Sequence, residues 1–301
     1  MTTLKSTKRF VTLAMVVAMV LSLLSVAYAD FGPKPSVRVS FENMGEELCY
    51  GTLLSAREST GPSSAWDGVE ENARHNGVEG YGSYGLEEGI WRAFVEYEDG
   101  DGYYFLQEGW VVSEEQELAW TYYPPNTFKI LIYFPETGEF MTSGVYERYA
   151  FDSYFTVDMA QVDENGLMLA EKSYRCGPEI ASFFARFLLT FVIEMGIALL
   201  FGFRERKQLL LLLCVNGGTQ LLLNVLLNII NYRSGMLAFV LSYILFELIV
   251  FAIEAVVYSV WLRRVSVKPK KVWFFVVYAL VANAVSFLVG YNLALVIPSL
   301  F

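Results

Sequence analysis

Histidine is almost missing from this chain: there is one, His75, among 301 residues. Cysteine is scarce too, with Cys49, Cys176 and Cys214 far apart in sequence. One imidazole and three separated thiols lack the close spacing of a zinc site, so no metal is expected. Gly-x-Ser-x-Gly, Ser-x-x-Lys and His-Glu-x-x-His are all absent, as are a P-loop and a dinucleotide fingerprint. The familiar hydrolase and nucleotide chemistries therefore have no carrier here, and the expectation is a non-enzymatic protein without a cofactor. Charged residues are also sparse, at 18% against 54% hydrophobic and 16% aromatic. That balance excludes a disordered chain and is too apolar for an ordinary soluble enzyme.

What charge there is falls in three blocks. Residues 1–29 carry three basic and no acidic side chains, residues 30–180 carry 28 acidic and 9 basic, and residues 181–301 carry 4 acidic and 10 basic. Lys5, Lys8 and Arg9 precede an apolar stretch over 10–26, and Ala27-Tyr28-Ala29 follows with small residues where a signal peptidase reads. This is the pattern of a secretory signal peptide over 1–29; an uncleaved anchor is the rival reading, and both put residue 30 onward outside the cytoplasm.

Four apolar stretches follow, at about 183–203, 209–230, 236–262 and 272–297, each reaching the roughly 20 residues that cross a bilayer core. Arg204, Arg206 and Lys207 lie between the first two; Arg263, Arg264, Lys268, Lys270 and Lys271 lie between the last two. The middle connection has only Arg233. By the positive-inside rule, loops 204–208 and 263–271 are cytoplasmic, and 30–180 and the C-terminus are extracytoplasmic. The expectation is a multi-pass protein of the cell membrane, with a four-helix transmembrane α bundle over 181–301.

Several polar residues interrupt these stretches. Glu194 is mid-span in the first. Asn216, Gln220, Asn224 and Asn228 recur every fourth residue in the second, with Asn231 near its end. Glu247 and Glu254 share one face of the third, seven residues apart, and Asn283 lies in the fourth. Buried carboxyls are costly in lipid unless protonated, paired or hydrated, so this set should face the bundle interior. Two readings stand. In one, Glu194, Glu247 and Glu254 handle protons or cations. In the other, protonated Glu and amide side chains hold helices together. Arg186, near the outer end of the first span, is placed to snorkel outward. Gly217-Gly218 permits a close helix contact or a kink.

Residues 30–180 read as an all-β, sandwich-like domain. Alternation over 36–42 marks a strand, with 48–54 as its hairpin partner. Stretches 90–97 and 103–107 flank the turn Glu98-Asp99-Gly100-Asp101-Gly102; 128–134 and 139–146 flank Pro135-Glu136-Thr137-Gly138. Strands are also expected at 110–112, 118–122 and 154–159. Residues 55–89 form a polar insertion, read as a binding loop or, more simply, a mobile surface segment with a short helix near 66–74. Trp66, Tyr81 and Tyr84 there either stack on sugars or cover the loop's own core. His75 also lies in it and reads as a solvated loop residue. Cys49 and Cys176 are disulfide candidates if both are outside, with two free thiols as the alternative. Asp99-Gly-Asp-Gly begins like a calcium loop, but position twelve, where a Glu is required, is Trp110. The acidic balance of 30–180 makes nucleic acid an unsuitable partner.

Some residues carry a resemblance. Phe183, Arg186 and Phe187, Ile193-Glu194, Phe201-Gly202-Phe203-Arg204, Asn216 with Thr219-Gln220 and Asn224, and Glu247, Glu254 and Tyr258 resemble a group of uncharacterised membrane proteins of Gram-positive anaerobic bacteria. The stretch 32–37 and Cys49-Tyr50-Gly51 are similar as well. The resemblance implies a signal peptide, a secreted β domain and four transmembrane helices, with no activity attached. The expected function is a cell-envelope protein with an extracytoplasmic binding or sensing domain, anchored in the lipid bilayer and docking a partner membrane protein. The alternative is a small proton- or cation-coupled transporter or channel subunit using the intramembrane carboxylates.

Overall fold

The computed structural model describes residues 32–74, 86–266 and 270–296. The expected signal segment, His75, Tyr81 and Tyr84 lie outside the described residues. The chain divides into two compact units, one spanning Lys34–Arg175 and one holding the helices from Cys176 on.

The first unit is β-rich with mixed sheets. Its longer strands are β1 (Ser36–Glu42), β2 (Tyr50–Ser55), β6 (Glu117–Trp120), β7 (Thr127–Phe134), β8 (Glu139–Ser143) and β10 (Asp152–Asp158). Short ones complete it: β3 (Ser59–Thr60), β4 (Ser63–Ser64), β5 (Trp110–Val111), β9 (Tyr146–Glu147), β11 (Leu167–Met168) and β12 (Ala170–Lys172). One sheet has the order β12-β10-β1-β6 and the other β11-β8-β7-β2-β5, with β9 also on β7; β3 and β4 pair alone. Alternate residues of β1 (Val37, Val39, Phe41) and of β7 (Phe128, Ile130, Ile132) enter one core, joined by Phe155 and Val157 of β10. The period of two along a strand makes this possible.

The expected hairpin of 36–42 with 48–54 does not form. β1 pairs in parallel with β10, Ser36 opposite Asp152 through Glu42 opposite Asp158, and antiparallel with β6. β2 crosses to the other sheet, between β7 and β5. Its residues from Gly51 to Ser55 are all buried, which suits a strand covered on both faces and paired on both edges. The 128–134 with 139–146 hairpin is present as β7 and β8, Phe134 opposite Glu139.

The expected strand at 90–97 is instead a helix, α1 (Glu88–Glu96). Ile90, Trp91, Phe94 and Val95 fall at helical spacing, and Trp91 and Phe94 are buried. They pack with Leu54, Phe105 and Leu131 on the other face of the larger sheet. Fully burying a side chain such as Phe94 is worth about 2–3 kcal/mol. The unit is therefore α+β rather than all-β, with a helix as a third layer.

Much of the polar insertion is pinned. Ser63 Oγ donates to Glu108 Oε1 at 3.0 Å, and Gln107 Nε2 donates to Ser64 O at 3.1 Å. Arg74 N donates to Gln107 Oε1 at 3.0 Å. Trp66 stacks edge-on against Trp91 at 5.3 Å between ring centres, so it covers core. The short helix near 66–74 shrinks to a single 3₁₀ turn, Glu70–Asn72.

In the second unit, three helices are long and apolar enough to cross a membrane: α2 (Cys176–Leu200), α3 (Arg206–Val257, continuing to Val265) and α4 (Val272–Val296). α2 stops at Leu200 rather than at 203. Gly202 adopts φ 81°, Phe203 N donates to Ala198 O and Gly202 N to Leu199 O, a Schellman stop that only glycine fits without strain. α3 is broken at Gly235, with φ 78° and ψ −179°. A straight helix would hold Thr219 and Glu254 about 52 Å apart. They are hydrogen-bonded at 2.9 Å, so the segments before and after Gly235 run side by side in opposite directions. No kink occurs at Gly217-Gly218, and nothing lies within 4 Å of a Cβ added at either.

Candidate functional site

The helical unit turns its polar residues inward. Glu194 and Glu254 are fully buried, and Asn216, Gln220, Asn224 and Asn283 nearly so. Glu247 is half-buried on the same face as Glu254. The i, i+4 spacing of the amides explains this: it lays them along one stripe of α3, toward α2 and the returning half of α3. None of the buried set is displayed on the outside of the unit.

Glu254 is the best-held member. Asn283 Nδ2 of α4 donates to its Oε2 at 2.7 Å, and Thr219 Oγ1 lies 2.9 Å from its Oε1. Three helical segments thus meet at one carboxyl. Ser286 Oγ of α4 donates to Glu194 Oε1 at 3.4 Å. The Tyr258 hydroxyl donates to Asn216 Oδ1. Tyr258 begins a turn of π-helix, Tyr258–Leu262, a widening often found at functional sites.

Several buried atoms in this region have no partner: Glu194 Oε2, Glu247 Oε2, Asn216 Nδ2, Gln220 Nε2 and Asn283 Oδ1. Buried polar atoms are normally paired, so a group of orphans in one region marks a place for water or a small polar ligand.

Arg186 does not snorkel. Its Nε donates to Asn224 Oδ1 at 3.1 Å, and its terminal nitrogens donate to Asn228 Oδ1 at 3.3 Å and to the Ser182 hydroxyl. Its guanidinium lies 5.6 Å from the centre of the Phe239 ring. Asn231 Nδ2 donates to Glu179 Oε1 at 3.4 Å. The amide stripe of α3 supplies acceptors that a guanidinium fork fits, so staying inside satisfies more of its donors than reaching out.

The sequence reading missed as members Thr219, Ser286 and Tyr278, whose hydroxyl donates to Glu194 O at 3.4 Å. For two the signal was present: Ser286 follows Asn283 by three residues and Thr219 follows Asn216 by three, each on a shared helix face.

In the β unit, Cys49 is fully buried, its thiol 3.8 Å from Met44 Sδ, while Cys176 is exposed at the start of α2; both are free thiols. Cys214 is exposed on α3. The Asp99 turn holds the ammonium of Lys129 (2.8 Å to Oδ1) where a calcium loop would hold its ion. Compared with protein-family models, curated proteins and solved structures, the chain matches none.

Proposed function

We propose that this protein is a non-enzymatic, four-span membrane protein of the cell envelope whose helical unit carries a protonatable site at Glu194 and Glu254. The hairpin of α3 supplies two of the four crossings. Arg204, Arg206, Lys207, Arg263, Arg264, Lys270 and Lys271 sit at the connections on one end, which supports a cytoplasmic location for that end. The β unit would then lie outside as a binding or sensing domain.

The single observation that carries the reading is the donor count around Glu254. Thr219 has one hydroxyl proton, and its Oγ1 also lies 3.0 Å from Val215 O on its own helix. With that proton given to Val215 O, Thr219 keeps a lone pair for Glu254. A protonated carboxyl donates to that lone pair and accepts from Asn283. Every bond is then satisfied by a neutral acid, and with the Thr219 proton donated to Glu254 Oε1 instead the same contacts suit a carboxylate, so the site fits both protonation states. An ionisable residue inside a helical bundle is a functional-site hypothesis by default, and one that fits both forms suits proton exchange. Inward burial of the set favours this role over docking of a partner through these residues.

The test is proton flux in proteoliposomes holding the full chain under an imposed potential, read with an internal pH dye. Flux above empty liposomes, lowered at least about tenfold by Glu254→Gln or Glu194→Gln, is expected. Flux equal to that of empty liposomes, or unchanged in both variants, overturns the reading.

A further inference from the structure

The interior of the helical unit differs between its two ends. Near the basic connections, Phe203, Leu212, Tyr258, Leu262, Phe275 and Tyr278 pack into one fully buried cluster. Gln208 at that end is also closed off, its amide donating to Ser266 Oγ at 3.1 Å. Toward the opposite end the amide stripe continues. Gln220 and Asn224 are buried, whereas Asn228 and Asn231 are partly exposed. The orphan atoms of Gln220 and Glu247 lie on the Arg186 side of the Thr219–Glu254 contact, while Asn216 lies on its basic side, bonded to Tyr258. Arg186 stands in the same stretch, bonded to Asn224 and Asn228.

This arrangement separates two kinds of passenger. Water bound at the open Gln220 and Glu247 atoms would relay a proton past a fixed guanidinium, because the proton moves by transfer from group to group. A metal cation must travel as a body, shed its hydration shell and pass a positive charge where the dielectric is low. Glu254 offers it little on arrival, since both its oxygens are engaged, but Glu194 Oε2 and Glu247 Oε2 are open, so exclusion falls to Arg186.

We propose that Glu194 and Glu254 form a proton site that exchanges through the Gln220–Asn228 stripe with the Arg186 end only, and that Arg186 keeps metal cations out of it. The inference rests on the proton-handling role proposed above. The titratable groups facing the pair are Glu247 and Tyr258 from α3 and Tyr278 from α4; Tyr243 of α3 faces Glu247 on one side and Arg186 of α2 on the other.

Infrared spectroscopy of the full chain in lipid nanodiscs tests the ion. A protonated-carboxyl absorption that titrates with pH and is lost in Glu254→Gln or Glu194→Gln is expected. In the wild type it is unmoved by sodium, potassium or calcium chloride. In Arg186→Gln, sodium lowers the apparent proton affinity by about tenfold, and Arg186→Lys, which keeps the charge, restores exclusion. If the absorption titrates but sodium or calcium displaces the proton in the wild type too, the inference falls and the proton role stands. If no such absorption exists, both fall.

Sidedness is tested by thiol labelling with a small anionic, membrane-impermeant reagent, which Arg186 does not repel, in a full chain whose three native cysteines are replaced by alanine. The thiol of Gln220→Cys should react from the Arg186 end at least about tenfold faster than that of Leu212→Cys from either side. Equal rates, or reaction of position 220 from the basic end, overturn one-sided exchange. Helix content by circular dichroism and a single elution peak guard against misfolded variants.

Discussion

Lys129 on β7 places its ammonium 2.8 Å from Asp99 Oδ1 and 3.0 Å from Oδ2, joining a strand to a turn 30 residues earlier. Asp101 Oδ2 lies 2.6 Å from the same nitrogen but is largely solvent-exposed, whereas Lys129 and Asp99 are both buried. Breaking a buried pair leaves an uncompensated charge, at a cost of about 3 kcal/mol or more. Lys129→Met should therefore destabilise the β unit by about that much. Hydrogen exchange on peptides covering Thr127–Phe134 in the full chain is the measure. Unchanged protection would mean that the pair carries no weight.

The same pair sets an acid limit. Burial raises the Asp99 carboxyl, but Lys129 and the backbone N–H groups of Tyr103 and Asp101 outweigh it and hold it below its usual range. A depressed carboxyl contributes stability above its unfolded value of about 3.9, and that contribution is lost as pH falls through the lower folded value. Tryptophan fluorescence during acid titration should show wild-type stability falling below about pH 4. Asp99→Asn should be weaker at neutral pH and have a flatter acid limb. An identical acid limb in both would remove Asp99 from the account.

The thiols should divide sharply. Burial pushes Cys49 up to about 11, with Glu47 adding to it and the Ser113 contact opposing it. The thiolate is the reactive form, so Cys49 should resist maleimide at pH 8 in the folded protein while exposed Cys176 reacts. Mass spectrometry before and after unfolding reads this directly. Failure of both to label until a reductant is added would instead indicate a disulfide.

Two glycines of the helical unit should respond oppositely to alanine. Gly202 holds φ 81°, so Gly202→Ala strains the end of α2 by about 1 kcal/mol. Gly217 is helical with open space around its Cβ position, so Gly217→Ala should stabilise α3 by up to about 1 kcal/mol. Thermal denaturation in nanodiscs should lower the midpoint for the first and raise or hold it for the second. A reversed order would mean that the Schellman stop is not needed.

How far the sequence spoke for itself differs between the units. In the helical unit, composition and the four-residue spacing of Asn216, Gln220 and Asn224 located the apolar helices and the inward face, because apolar length and helical period are local properties. Arg186 was misread because its acceptors, Asn224 and Asn228, come from another helix. In the β unit, the β7–β8 hairpin was legible from its turn. The β1–β10 pairing was not, since no local signal couples residues more than a hundred apart. Residues 90–97 misled because clustered Trp, Phe and Val favour a strand, while only their spacing reveals α1.

The parallel register of β1 with β10 also has a temporal side. Ser36 finds Asp152, its hydroxyl 2.5 Å from the carboxylate, only after the intervening chain has been made. Until then Val37, Val39 and Phe41 have no neighbouring strand on that edge, and β6 alone, from residue 117, borders the other. Long-range pairing of this kind slows folding and prolongs the exposure of apolar strands. During synthesis the β unit thus stays open until its last third emerges, with α2 beginning only at Cys176, shortly after β12 closes the sheet. The interval in which β1 is finished but unpaired is when the chain has most need of a chaperone.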